Sequence, residues 1–353
     1  MTKTLIEALG ATNYVKVLLD YALAQSIDKV EYTNFFTVQE TPGPIVKTLY
    51  GIPKPVEVGT EIGQFGEPII REREEMGNGF VEVGYFADEF QTDEARLELL
   101  NRILKKSNGN ITDENITELE TFLTGDMGDL RNLALAPRLA VDFMMAGLFS
   151  DGIMKSKTQA GISTSQDMGT KLITATTDDA VDYAVYLLKV YESLDVKPTA
   201  AIINGKTFRE KILGSPTMQS YKRTRANYQI DSGAFTQANI LSDLFADAGY
   251  SVEFYTQNQT LNLGKEGTTK TQKDNIVTFL PSKNVGTVEM YKDVKWSIRP
   301  AGKTYVETEG GLILNTVEIA SNSAIKTGYR SNFVLNPTMP QNIVRVNIAA
   351  EKA

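Results

Sequence analysis

The stretch AAIINGKT, residues 200–207, carries the residue types closest to a known chemistry. A glycine, a lysine and a threonine after a strand can wrap phosphates with backbone N–H groups and meet them with an ammonium. That pattern also needs a glycine at position 200, where Ala200 stands. The better reading is a strand-to-helix turn in which Gly205 takes an unusual backbone angle. Gly264-Lys265-Glu266-Gly267 is a turn at the end of a polar loop, has no strand before it, and is no dinucleotide fingerprint. Asp178 with Asp179, or Glu72 with Glu74, could pair for acid–base work. Neither pair has a partner that the sequence places nearby, and the first suits a helix start, where the dipole favours negative charge. Lys222, Arg223 and Arg225 beside Tyr221 and Tyr228 make a mixture that can hold single-stranded nucleic acid. In an acidic chain the same patch is more often a solvated loop or a salt bridge to a neighbouring subunit.

Absences narrow the chemistry further. The 353 residues include no cysteine and no histidine. Disulfides, thiolate nucleophiles and cysteine-ligated metals are excluded, and so are the commonest base and metal ligand. Carboxylate and lysine chemistry remain open, but no catalytic, cofactor-binding or metal-ligating residue stands out. The expectation is a protein that is not an enzyme and needs no cofactor. A formal charge of −8 argues against tight non-specific binding of DNA or RNA, where phosphate contacts dominate affinity. Hydrophobic content of 42% and charged content of 23% are those of a chain that buries a real core. No apolar run reaches the ~18–20 residues that span a bilayer. Glu7 interrupts the only apolar patch near the start, so no signal peptide is read there and the product is expected to stay in the cell that makes it. Without such a signal, the Asn-x-Thr sequons at Asn110, Asn115 and Asn258 carry no meaning.

The elements that would position these residues centre on Asp126 to Gly152. Leu130, Leu133, Ala134, Pro137, Val141, Met144 and Leu148 recur at helical steps, Asp126 or Asp129 can cap the start, and Gly152 can end it. About 25 residues would run roughly 37 Å, with Pro137 bending the helix near Asn132 and Leu133. Periodicity alone describes simply a long buried helix. Before it, residues 1–42 open with an amphipathic helix capped by Thr12 or Asn13, then turn extended and aromatic, with too little apolar content to make a core. Residues 45–90 read as a long two-stranded excursion with the charge run Arg71–Glu75 before a turn at Met76–Gly79. Two helices fill 92–124. The polar stretch KSKTQAGISTSQDMG looks like a boundary. Residues 172–257 then alternate helix and strand, with a helix at Thr177-Asp178-Asp179 and another from Phe235 to Ala248 closed by Gly249. From Asn275 onward the chain is mostly strands, one of which holds Trp296, the sole tryptophan.

The order of these pieces resembles the major capsid proteins of tailed bacteriophages, the Hong Kong 97-type fold, and especially the phage-lambda capsid protein E type. Four colinear stretches carry it: TTDDAVDYAVYLLKVYESLDVKPTAAIINGKTFREKILGSPTMQSYK, ILSDLFADAGYSVEFYT, DNIVTFLPSKNVGTVEMY and NFVLNPTMPQNIVRVNIA. Each is a pattern of residue type and spacing, and their strength lies in the shared order.

The resemblance implies an α+β capsid fold with an N-terminal arm at 1–42 and an extended β-hairpin loop at 43–91. It implies a peripheral domain with the spine helix at 92–164, an axial domain at 165–310, and return strands to the peripheral domain at 311–353. It further implies self-assembly into pentamers and hexamers of an icosahedral head, in a virion assembled in the host cytoplasm. The implied partners are the chain itself, a separate scaffolding protein, a portal, and a decoration protein as an optional addition. Double-stranded DNA would be enclosed without sequence-specific binding, and no membrane is involved. The sequence departs from that pattern at Pro137, in the extra helices of 92–124, and in having no charged coiled coil at the start. Some relatives cross-link a lysine to an asparagine; the sequence does not locate such a pair, and no cross-link is predicted. Two alternatives stay open: the shell of an encapsulin-like nanocompartment, and a soluble nucleotide-binding enzyme.

Overall fold

The computed structural model describes residues 30–50, 77–92, 129–158, 160–176, 179–226, 239–291, 304–307, 313–319 and 324–349, with short helical pieces at 95, 98–99, 102–103, 117–118 and 121–122. The expected N-terminal helix, the Arg71–Glu75 run, Trp296, Glu72, Glu74, Asp178 and Tyr228 lie outside these residues. Among the described residues no helix is long and apolar enough to cross a membrane.

Four strands come first: β1 (Phe36–Thr41), β2 (Ile45–Tyr50), β3 (Gly77–Glu82) and β4 (Gly84–Thr92). The long helix α1 (Asp129–Asp151) follows, then β5 (Ile153–Thr158), β6 (Gly161–Asp167) and β7 (Lys171–Thr174). Helix α2 (Tyr183–Ser193), strand β8 (Ala200–Asn204), helices α3 (Pro216–Ala226) and α4 (Asn239–Asp247) and strand β9 (Glu253–Gln257) make an alternating stretch. The rest is strand: β10 (Thr260–Asn262), β11 (Thr268–Lys270), β12 (Ile276–Leu280), β13 (Gly286–Tyr291), β14 (Thr304–Glu307), β15 (Ile313–Ile319), β16 (Ala324–Pro337) and β17 (Val344–Asn347). They divide into two compact units, neither continuous in sequence. One takes 1–46, 80–142 and 286–336; the other takes 47–79, 143–285 and 337–353.

The first unit is built on a six-stranded sheet in the order β1-β13-β16-β15-β14, with β4 also on β16. The long β16 makes this possible. It runs antiparallel to β15 from Ile313↔Arg330 to Ile319↔Ala324, and antiparallel to β4 from Thr92↔Ile325 to Gly84↔Phe333. Phe86 stacks on Phe333 at 4.2 Å between centroids. The extended, aromatic segment before Pro42 becomes β1, parallel to β13 from Phe36↔Gly286 to Thr41↔Tyr291, with Tyr32, Phe35 and Phe36 buried. At the start of the expected excursion, β2 pairs with β3 as a ribbon. Val46, Val81 and Val83 turn inward while Ile45 and Phe80 stay exposed, the alternation that period-two side chains impose.

The second unit holds a five-stranded sheet in the order β7-β17-β12-β8-β9. Its pairs are mixed: β8 with β9 and β7 with β17 are parallel, and β12 is antiparallel to both β8 and β17. Helices α2 and α4 cover one face. Tyr191, Phe245, Phe254 and Phe279 meet there in edge-on or tilted pairs 5.0 to 6.4 Å apart, geometries that aromatic quadrupoles favour. Every residue of β8 is buried, as expected of a strand covered on both sides. Thr278 of β12 donates its hydroxyl to the Phe149 carbonyl of α1 at 2.8 Å.

Helix α1 begins at Asp129 and ends at Gly152, whose φ of +73° is the left-handed turn-off that glycine adopts without strain. Pro137 lies inside the helix and does not stop it; its missing donor removes one rung of the ladder. From Val141 to Ser150 every side chain is buried, so this half is enclosed rather than amphipathic.

Some expectations are corrected. The polar stretch read as a boundary forms the β5–β6 hairpin, with Ile153↔Asp167 and Thr158↔Gly161 at its ends. Gly264–Gly267 does follow a strand: it is the tight turn joining β10 to β11. The basic stretch at Lys222 to Arg225 lies on helix α3, not in a loop.

Candidate functional site

In the Asn204–Thr207 turn, Asn204 accepts the Lys206 N–H on Oδ1 at 2.8 Å and donates Nδ2 to the Gln272 carbonyl at 2.9 Å. The Gly205 N–H goes to Asn258 Oδ1 at 2.7 Å, and Thr207 Oγ1 accepts the Asn275 N–H at 2.7 Å. The Lys206 ammonium sits 3.5 Å from Asp274, a carboxylate held below its usual range by the hydrogen bond from Lys270. The Gly205 and Lys206 amides that a phosphate would use already have acceptors, and the lysine has a counter-ion. The helix that follows is one turn long and passes into a wider turn at Phe208–Ile212. The unusual angle expected of Gly205 is absent from the described positive-φ positions. Glycine is needed for a different reason: a Cβ there would lie 2.5 Å from Asn258 Oδ1.

Asp179 is not the cap of α2. Asp179 accepts the Thr176 N–H and hydroxyl at 2.8 and 2.7 Å, which lower its pKa. The cap is Asp182, which sequence reading passed over. Its Oδ1 accepts the N–H groups of Ala184 and Val185 at 3.1 and 3.2 Å, and its Oδ2 accepts that of Thr217, at the start of α3, at 2.7 Å. One carboxylate thus satisfies the open ends of two helices. Burial works against its charge, but the bonds from Thr217 and Val185 prevail and the pKa is lowered.

On α3, Arg223 is exposed and the Tyr221 hydroxyl donates to Asp247 at 2.6 Å. At the end of α1, Asp151 meets Lys155 and Lys273, each at 2.5 Å, where cations also suit the helix dipole. Burial raises the Asp151 pKa, and the two lysines more than reverse this. A further carboxylate on the same helix, Asp142, is buried and accepts the N–H groups of Glu31 and Tyr32. Its only signal in the sequence is an acid between Val141 and Phe143. Among the described residues no cluster of acids could hold a metal ion.

No protein-family model and no curated protein sequence matches the chain. Solved structures do. A prophage protein of Escherichia coli CFT073, described as a capsid protein, superposes with a TM-score of 0.56 over 96% of this chain and 99% of its own, at 13% identity. A phage-related protein from Bordetella bronchiseptica RB50 gives 0.48 over 94% and 97%, at 12% identity. The virus-like particle from Pyrococcus furiosus gives 0.42 over 92% and 96%, at 12% identity. The first of these decides the fold. The chain has a phage capsid-protein fold. In this capsid-protein fold Asn204, Asp182 and Asp142 act on the backbone, holding turns and helix ends in place.

Proposed function

We propose that the chain is a major capsid protein, a structural subunit rather than an enzyme, which assembles through pentamers and hexamers into an icosahedral head around a phage genome. The observation that carries this is the end-to-end likeness to a prophage capsid protein, 96% of one chain on 99% of the other. Shells of this kind are held by many repeated contacts between copies, with obligate interfaces of about 2,000 Å² or more. Residues 1–42 as an arm and 43–91 as an extended loop would supply such contacts by lying on neighbouring copies. The peripheral domain at 92–164, the axial domain at 165–310 and the return strands at 311–353 complete the proposed subunit. A net charge of −8 suits a container that encloses double-stranded DNA without gripping it. A scaffolding protein, a portal and a decoration protein are the proposed partners in the host cytoplasm and the virion.

Negative-stain microscopy of the purified chain tests the reading, and closed shells or capsomers are the expected result. A lone compact particle under all solution conditions overturns it. Because residues 36–41 enter the chain's own sheet and Val30, Tyr32 and Phe35 just before them are buried, a truncation that tests the arm must stop before Val30. Removing residues 1–29 should leave a soluble chain that no longer closes shells; normal shells from it would remove the arm from the mechanism.

A further inference from the structure

Asp142 lies on α1 with no exposed surface. Both of its oxygens accept the Glu31 N–H, at 3.1 and 3.2 Å, and Oδ1 also accepts the Tyr32 N–H at 2.8 Å. Those two amides open the single 3₁₀ turn Tyr32–Asn34 that leads into β1. No side chain of the turn itself caps them. A carboxylate 110 residues further along the chain does the work of an N-cap. Beside it Val30, Tyr32, Phe35 and Phe36 are buried, so the clamp and this apolar cluster hold the segment together. Three charged or titratable groups bear on it. Glu31 faces the carboxyl from the clamped segment, while Arg138, one turn earlier on α1, faces the Tyr32 phenol.

We propose that Asp142 is a proton-operated latch on the segment leading into β1: its neutral carboxyl holds residues 30–36 on α1, and its ionisation loosens them. Burial pushes this carboxyl up to about 8, against the pull of the two amides and with the added push of the Glu31 charge. An acid raised in this way stabilises fully below its unfolded value of 3.8 and loses that stabilisation as pH rises through about 8. Lifting residues 30–36 is the route by which water reaches the ionised group, since a buried carboxylate beside another acid is costly. Resting on the capsid reading, the latch would set how firmly the segment leading into β1 is held to its own subunit. The titration itself needs no shell.

Amide exchange of the full-length chain, kept dispersed, reads the latch directly. Protection factors over residues 30–36 should fall roughly tenfold per pH unit as pH rises above about 4, and level off above about 8 where the closed state is ionised too. Asp142→Asn keeps an acceptor for both amides and removes the ionisation, so protection there should no longer depend on pH. Glu31→Gln, which leaves Asp142 in place and serves even where the first variant fails to fold, should move the levelling-off to lower pH. Protection independent of pH in the native chain, an unchanged levelling-off pH in Glu31→Gln, or the native profile in folded Asp142→Asn would each overturn the proposal. Failure of the capsid reading is seen by microscopy instead, so the two failures are distinguishable.

Discussion

Asp142 in one unit and Asp182 in the other perform the same act on the backbone and respond to it in opposite ways. Each accepts N–H groups at the start of a helical turn, from Glu31 and Tyr32 in one case and from Ala184, Val185 and Thr217 in the other. Asp182 is only half-buried, with three amides sharing its charge, and its pKa is lowered. Asp142 is fully buried, meets two amides and has Glu31 for a neighbour, and its pKa is raised to about 8. Amide donors alone therefore do not fix the charge state of a capping acid. Water, or the loss of it, decides once the number of donors no longer offsets desolvation.

The largest effect that the contrast predicts is at Asp182. Asp182→Ala strips the caps from α2 and α3 together, and at ~1 kcal/mol per cap, with three amides left unmet, the loss should be about 2–3 kcal/mol in urea unfolding at neutral pH. A pKa lowered by folding gives stability that is present above the unfolded value of 3.8 and lost as pH falls through the folded one. The stability gap between the native chain and Asp182→Ala should therefore narrow as pH falls below 3.8. Amide exchange should show α2 and α3 losing protection first as pH falls below 3.8, and residues 30–36 losing it first as pH rises towards about 8. The same order of loss at both extremes would break the contrast.

Sequence reading recovered the local features and missed the distant ones, for reasons visible in particular residues. Gly152 and Gly249 ended their helices as read, because a positive φ is a property of one residue. The mixed α+β character and the strand-rich last third were also legible. The cap of α2 was misplaced because Asp178 and Asp179 come first in the chain. The buried stripe Tyr183, Ala184, Leu187, Val190 and Tyr191 begins just after Asp182, and starting from that stripe would have placed the cap correctly. Helix α3 was missed because PTMQSYKRTRA buries little besides Met218; the Ser215-Pro216 start was its one local signal. Central strand β16 was read only in its second half, since AIKTGYR lacks the apolar alternation of a sheet face. Asp142 was invisible as a clamp, because its partners are 110 and 111 residues away and their backbone amides carry no sequence signature.

The Asn204 turn extends the contrast to a cap that cannot titrate, and there the smaller effects are expected. Its resemblance to a phosphate loop would make Lys206 the residue that matters; the geometry gives that weight to Gly205 instead. Gly205→Ala places a Cβ where Asn258 Oδ1 already stands, and overpacking of this kind should cost about 1–2 kcal/mol. Because the clash is with one side chain, Gly205→Ala combined with Asn258→Ala should cost less than the two changes added separately. Lys206→Ala removes only a half-exposed ammonium 3.5 Å from Asp274, a carboxylate that keeps Lys270. Its cost should be under ~1 kcal/mol, the range of exposed ion pairs. Calorimetric titration with magnesium–ATP should give no heat of binding in either the native chain or Lys206→Ala. A binding signal in the native chain that disappears in the variant would return the turn to its phosphate-loop reading, and with it the idea that this asparagine cap only shapes the backbone would fall.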